Sequence, residues 1–164
     1  MKTFIIKGGL GNQIFAYAFS LYCKQELGED VRYLRRRRGQ LKPIEKTELY
    51  TVFDLDIKTA GFFSRMKYKF FKTLKIGNVI SKEGSLSLSS SFFEGFWQDK
   101  KYYEGFPKDW IEFKPFALID KNKEVIEDMK NSNSVFIHIR RGNYLKGRNI
   151  EIYGNVCTKE YYEK

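Results

Sequence analysis

Arg140 and Arg141 follow a β-branched run and lead into Gly142, Asn143 and Tyr144. Two guanidinium groups at a strand end can clamp a diphosphate through paired hydrogen bonds. In open α/β sheets, ligands bind beyond the carboxyl ends of the strands. Where a nucleoside diphosphate is the leaving group, its charge grows in the transition state and a fixed guanidinium lowers the barrier. Gly142 allows a sharp turn at that point. A solvent-facing arginine pair on a strand end satisfies the same spacing. His138, the sole histidine, shares a strand face with Arg140 and Phe136 if the run alternates. It reads first as a satisfied core residue and second as a catalytic base.

A second constellation lies near the N-terminus: Gly8, Gly9, Leu10, Gly11, Asn12 and Gln13. Glycines after a strand let backbone approach a ligand, and the following helix start offers free N–H groups to an anion. A tight structural turn uses the same residues equally well. The pattern is neither GxGxxG nor a Walker loop. Asp54-Leu55-Asp56 has the outline of a metal-holding DxD, but a solvated turn is the plainer reading, and no acidic cluster supports a metal. The run of four arginines at 35–38 could bind phosphate or nucleic acid and reads first as a solvated loop.

These groups need elements to position them. Phe4 to Ile6 is a short apolar run ending in glycine, which predicts a buried strand. Ile14, Ala18, Leu21, Tyr22 and Gln25 recur at helical spacing, with Gly28 as a stop. A strand over 31–34 would complete a βαβ unit, so an α/β fold with a Rossmann-like parallel sheet is expected. Residues 35–60 lack clear periodicity. Residues 57–82 hold seven Lys or Arg and no Asp or Glu, and Phe62, Phe63, Met66, Phe70 and Leu74 mark a basic amphipathic helix. That helix either packs on its own domain or lies on an anionic leaflet. Strands are predicted over 92–98 and 135–139, a helix over 120–130, and a further helix start at Thr158.

The 164 residues are 42% hydrophobic with 15 Phe and 11 Tyr, which supports a packed core and argues against wholesale disorder. Thirty basic against 20 acidic residues gives +10 at pH 7, so an anionic partner is expected. Cys23 and Cys157 are the only cysteines and read as reduced core thiols. The N-terminal apolar run is too short for a signal segment, and no stretch approaches the roughly 20 apolar residues of a membrane span. An intracellular, cytoplasmic location is therefore expected, with peripheral contact on the inner face of the plasma membrane as the membrane option.

Four segments together resemble a known family. Residues 8–15 with Tyr17 and Ala18 look like the N-terminal signature of bacterial α-1,2-fucosyltransferases, glycosyltransferase family 11. Gly95-Phe96-Trp97-Gln98, followed by Lys100, Lys101, Tyr102 and Tyr103, is similar to that family's Gly-Tyr-Trp-Gln segment. Residues 135–144 resemble its His-x-Arg-Arg-Gly-Asp-Tyr motif, and Cys157, Thr158, Tyr161 and Tyr162 resemble the helix that follows.

The resemblance implies a GT-B fold with two Rossmann-like halves. Residues 1–157 would form the N-terminal half, 158–164 would start a truncated helix, and a C-terminal domain would be absent. It implies inverting, metal-independent transfer of L-fucose from GDP-fucose to the 2-hydroxyl of a galactose-terminated glycan, with no cofactor. By that resemblance Arg140, His138 and Asn143 are the catalytic candidates. Gly9, Gly11, Asn12, Gln13, Arg140, Arg141 and Gly142 would hold the nucleotide sugar. Asn143 departs from the family pattern, where Asp is usual, and so keeps the shape without the charge. A fragment of this kind would be inactive alone. The alternatives are a basic nucleic-acid-binding module, disfavoured because no RRM, KH or helix-turn-helix pattern occurs, and a non-catalytic remnant that keeps the fold.

Overall fold

The computed structural model describes residues 1–76, 79–135, 137 and 146–153. The chain divides into two units, Met1–Phe116 and Ala117–Lys164.

Unit 1 opens with strand β1 (Lys2–Ile6), helix α1 (Leu10–Leu27) and strand β2 (Val31–Arg37). β1 and β2 pair in parallel from Lys2 opposite Val31 to Ile6 opposite Arg35. This is the expected βαβ unit. Every residue of β1 is buried, as a parallel strand covered on both faces requires. Gly28, at φ 61°, closes α1 in the left-handed conformation and donates its N–H to the carbonyl of Lys24.

β2 turns through Arg38 and Gly39 into strand β3 (Gln40–Lys42), its antiparallel partner. A short α2 (Glu48–Val52) follows, its N-terminus capped by the Thr47 hydroxyl, which accepts from the Tyr50 N–H at 3.2 Å. β4 (Phe53–Asp54), α3 (Phe62–Leu74), β5 (Ile80–Lys82), β6 (Phe92–Glu94) and β7 (Glu112–Phe113) complete the unit. The main sheet has the order β3-β2-β1-β6-β5, and β4 pairs with β7 separately. β1, β2, β5 and β6 all run parallel.

Side chains alternate across β1 and so build two cores. Phe4 and Ile6 face α1, where Phe4 stacks on Phe93 at 4.8 Å and meets Phe19 edge-on at 5.8 Å. Ile5 faces the other way, with Leu34, Phe92, Ala60 and Tyr68 of α3. Cys23 is buried in the first core, and burial pushes its thiol up to about 12. That keeps it a protonated, unreactive apolar group at neutral pH.

Unit 2 holds α4 (Asp120–Lys130) and α5 (Arg148–Tyr153). α4 confirms the expected helix, whereas α5 has no sequence signal. Of the expected strand at 135–139 only Val135 and Ile137 are described, and the helix start at Thr158 lies outside the described residues.

Two expectations are corrected. Arg35, Arg36 and Arg37 do not form a solvated loop: they are the C-terminal residues of β2. The stems of Arg35 and Arg36 follow the strand while their guanidinium ends reach carboxylates, so a charged run is compatible with strand pairing. The strand expected over 92–98 ends at Glu94. Trp97 sits at φ 57°, a left-handed conformation that cannot continue a strand.

Candidate functional site

The sheet order places β1 between β2 and β6: the chain leaves β1 for β2 on one side and comes back to its other side through β5 and then β6. The carboxyl ends of the strands are where open α/β sheets bind ligands. Both glycine-containing segments emerge there: 7–13 from β1 and 95–98 from β6.

Side chains tie the two segments together. The Gln98 Nε2 donates to Asn12 Oδ1 at 2.7 Å, and the Lys7 ammonium lies 4.9 Å from the centre of the Phe96 ring. Gly8 has φ 82°, and a Cβ there would come within 2.8 Å of Asn12 Nδ2 and 3.1 Å of Phe96 Cε1. Gly8 is thus required by both conformation and space. Gly9 and Gly11 differ: a Cβ on either would meet no described atom within 4 Å. Gly9 stands at the N-cap of α1, and Gly11 lies inside its first turn. No side chain caps that helix start, and its first turn carries no acid, so its free N–H groups present positive potential.

Gln13 lines the neighbouring cleft and also braces the fold. Only 1% exposed, it donates to the Gly8 carbonyl at 2.9 Å and to the Glu48 carboxylate at 2.5 Å, and accepts from the Leu49 N–H at 3.0 Å. The amide thereby locks the loop after β1 to α2.

A cleft of 360 Å³ lies beside this strut, lined by Ile6, Lys7, Gly8, Gln13, Thr47, Glu48 and all four arginines of 35–38. Arg35 donates to the Lys46 carbonyl and lies 3.8 Å from Glu48. Arg36 pairs with Glu94. Arg37 and Arg38 make no ion pair with any described residue. The cleft is therefore strongly cationic, with two guanidinium groups available to an incoming anion.

Glu94, 6% exposed, is linked to the cleft through its ion pair with Arg36. It accepts from Tyr68 Oη at 2.5 Å and Lys72 Nζ at 2.9 Å, and Lys7 Nζ stands 4.0 Å away. Burial, and then Arg36, pull the Lys72 amine down to about 8. The same two causes lower Lys7. On the far side, Glu83 accepts from the N–H groups of Phe96 at 3.0 Å and Trp97 at 2.9 Å, fixing the 95–98 turn. Glu48, Glu83 and Glu94 give no signal in the sequence, because each acts through partners far away along the chain. The apolar neighbours of Glu94, Phe92 and Phe93, are the one hint that it is buried.

Glu48 is held below its ordinary value of 4.5, chiefly by the hydrogen bond from Gln13. A depressed carboxyl contributes stability above pH 4.5 that is lost as pH falls through its folded value. Glu48→Gln should therefore flatten the acid limb of a stability-against-pH curve below that point. Its side chain is 54% exposed, so the difference should stay under about 1 kcal/mol. Identical acid limbs, measured by urea unfolding across the range, would remove Glu48 from this account.

The candidates His138, Arg140, Arg141, Gly142 and Asn143 lie outside the described residues. Asp54 and Asp56 are exposed, and Asp54 stands opposite Glu112 in the β4–β7 pair. Among the described residues no three His, Cys, Asp or Glu side chains gather as a metal site, and no helix is long and apolar enough to cross a membrane.

The chain thus combines a mostly parallel α/β sheet with a cationic cleft, bordered by Gly8, at the carboxyl ends of β1 and β2. The chain belongs to glycosyl transferase family 11, whose model matches residues 1–164. It is 29% identical to an alpha-1,2-colitosyltransferase of Escherichia coli, in an alignment covering 96% of this chain and 60% of that protein. It is 24% identical to the O-antigen biosynthesis glycosyltransferase WbnK of Escherichia coli, over 97% of this chain and 65% of that protein. The chain thus spans under two thirds of the length of these curated relatives. No solved structure matches it.

Proposed function

We propose that this chain serves transfer of L-fucose from GDP-fucose to the 2-hydroxyl of a galactoside during cell-surface glycan synthesis, by inversion and without a metal. The observation that carries the reading is the cationic cleft at the carboxyl ends of β1 and β2, in a chain whose family is glycosyl transferase family 11. A relative named for α-1,2 transfer supports the linkage. The GT-B architecture belongs to the same proposal.

In this reaction the galactoside oxygen attacks the anomeric carbon, the bond to the diphosphate breaks, and the hydroxyl proton leaves to a base. Charge accumulates on the departing GDP, which fixed cations stabilise. By the family resemblance Arg140 would make the diphosphate contact, with Arg141 in support, and His138 and Asn143 are the other catalytic candidates. Gly9, Gly11, Asn12 and Gln13, at the N-cap and in the first turn of α1, are the candidates on that side for the nucleotide sugar. Glu48 is a poor candidate for the base: holding it anionic by Gln13 weakens its proton affinity and suits it to orienting Arg35.

The test is an assay with GDP-fucose and a terminal-galactose acceptor, with EDTA present, scored for GDP release and for the linkage of the product. With a form of the protein that spans the full length of its relatives, a fucosyl-(1→2)-galactoside product is expected. Transfer only from another sugar nucleotide, or loss of transfer in EDTA, overturns the donor or the metal-independent part. Calorimetry with GDP should show Arg140→Lys losing more affinity than Arg37→Ala, because a bidentate phosphate contact needs the planar fork. The reverse order would move the diphosphate to the cleft at 35–38.

A further inference from the structure

We propose that the outward face of α3 docks on the anionic surface of a lipid bilayer. The helix uses one side to hold the fold: Tyr68 is 2% exposed, and it packs with Phe71 against Ile5, Leu34 and Phe92 of the sheet. At 3.6 residues per turn, the opposite side carries Phe62, Phe63, Met66, Phe70 and Leu74. These five are 53–78% exposed. A helix seated on a sheet ordinarily turns a polar face to water; this one is apolar on both sides.

The charges around the outward stripe select the occupant. Lys67 and Lys69 flank it, Lys75 stands at its C-terminal end, and residues 57–82 contain no acid. A second copy of the same face would bring its own lysines against these, so self-association through the stripe is repelled. An anionic bilayer offers what both halves of the pattern need. Phenylalanine and methionine enter the headgroup–acyl boundary, while lysine stems reach back to the phosphates. Polybasic attraction adds to this with each lysine near the surface. Tyr68 and the sheet behind it keep the helix preformed, so no ordering cost falls on the docking step.

The experiment is sedimentation of the protein with phosphatidylcholine vesicles and with mixed phosphatidylcholine–phosphatidylglycerol vesicles, at low and high salt. Binding to the mixed vesicles alone, weakened by salt, is expected. The paired substitutions Phe63→Ser/Phe70→Ser and Lys67→Glu/Lys69→Glu should each lower partitioning about tenfold or more. All four side chains are exposed, so circular dichroism should be unchanged. The proposal is overturned if mixed vesicles leave the protein in the supernatant, or if both variants partition like the unaltered chain. It is also overturned if light scattering shows a dimer that Phe63→Ser/Phe70→Ser splits while vesicles are ignored.

Discussion

Glu94→Gln should lower the unfolding free energy by about 3 kcal/mol, read as a shift of the urea midpoint. The carboxylate is buried at the end of β6 and holds Arg36, Lys72, Lys7 and the Tyr68 hydroxyl. Glutamine keeps the shape and can still accept from Tyr68, but leaves three cations converging on a neutral amide. Removing one partner of a buried ion pair costs about 3–5 kcal/mol. The lower end applies here because Lys7, Arg36 and Lys72 are 30%, 31% and 37% exposed and can turn to water. A second arm separates charge from packing: raising salt should narrow the gap between the two chains, since screening relieves the repulsion among the cations. A loss within about 0.5 kcal/mol, the range of ordinary surface substitutions, would mean that Glu94 does not organise this cluster.

Trp97→Ala should cost more, about 3–5 kcal/mol, as for other buried large-to-small aromatic changes. The indole is 3% exposed, stacks on Phe19 with ring centres 4.2 Å apart and meets Phe93 at 6.3 Å. Its backbone adds a discriminating comparison. At φ 57° any residue with a Cβ carries strain of roughly 1–2 kcal/mol, which glycine escapes. Trp97→Gly should therefore be the more stable of the two truncations, against the usual rule that glycine is the worse choice. If Trp97→Ala proves more stable than Trp97→Gly under calorimetric unfolding, the left-handed turn at 97 is not what shapes this segment. Loss of the indole should also loosen Gln98 from Asn12 and so disturb the crevice without touching a ligand.

What the residues reveal by themselves is local. β1, α1 and β2 are visible through an apolar run, helical spacing and a glycine stop, and α3 and α4 through periodicity. The arginines at 35–38 mislead because composition says solvent while the pairing of β2 with β1 and β3 says strand. Neighbouring strands override residue preference there. The end of β6 is hard to place because aromatic residues at 96 and 97 favour strands. The Trp97 ring instead folds back over Gly95, where a Cβ would come within 2.7 Å of it, and the chain turns. β4 and β7, two residues each, carry too little pattern to see. Of the site, the glycine loop is visible as a type of segment. Its division of labour is not: Gly8 for space, Gly9 and Gly11 for openness, Gln13 for bracing. The bracing depends on α2, whose position no local pattern reveals.

The central place of β1 in the sheet also orders events in time. On one side it pairs with β2, its neighbour along the chain once α1 has formed. On the other it pairs with β6, where Thr3 meets Phe92 and Phe4 meets Phe93. The first pairing closes a short loop and the second a long one, and loop closure must be met before a contact can reward it. Loop-closure entropy therefore predicts that β1, α1 and β2 form early and that the crevice between 7–13 and 95–98 is assembled later. A nascent chain emerging from the ribosome would hold one wall of the crevice for as long as it takes to synthesise the other, with Arg36 of β2 exposed before the buried carboxylate of Glu94 arrives to balance it.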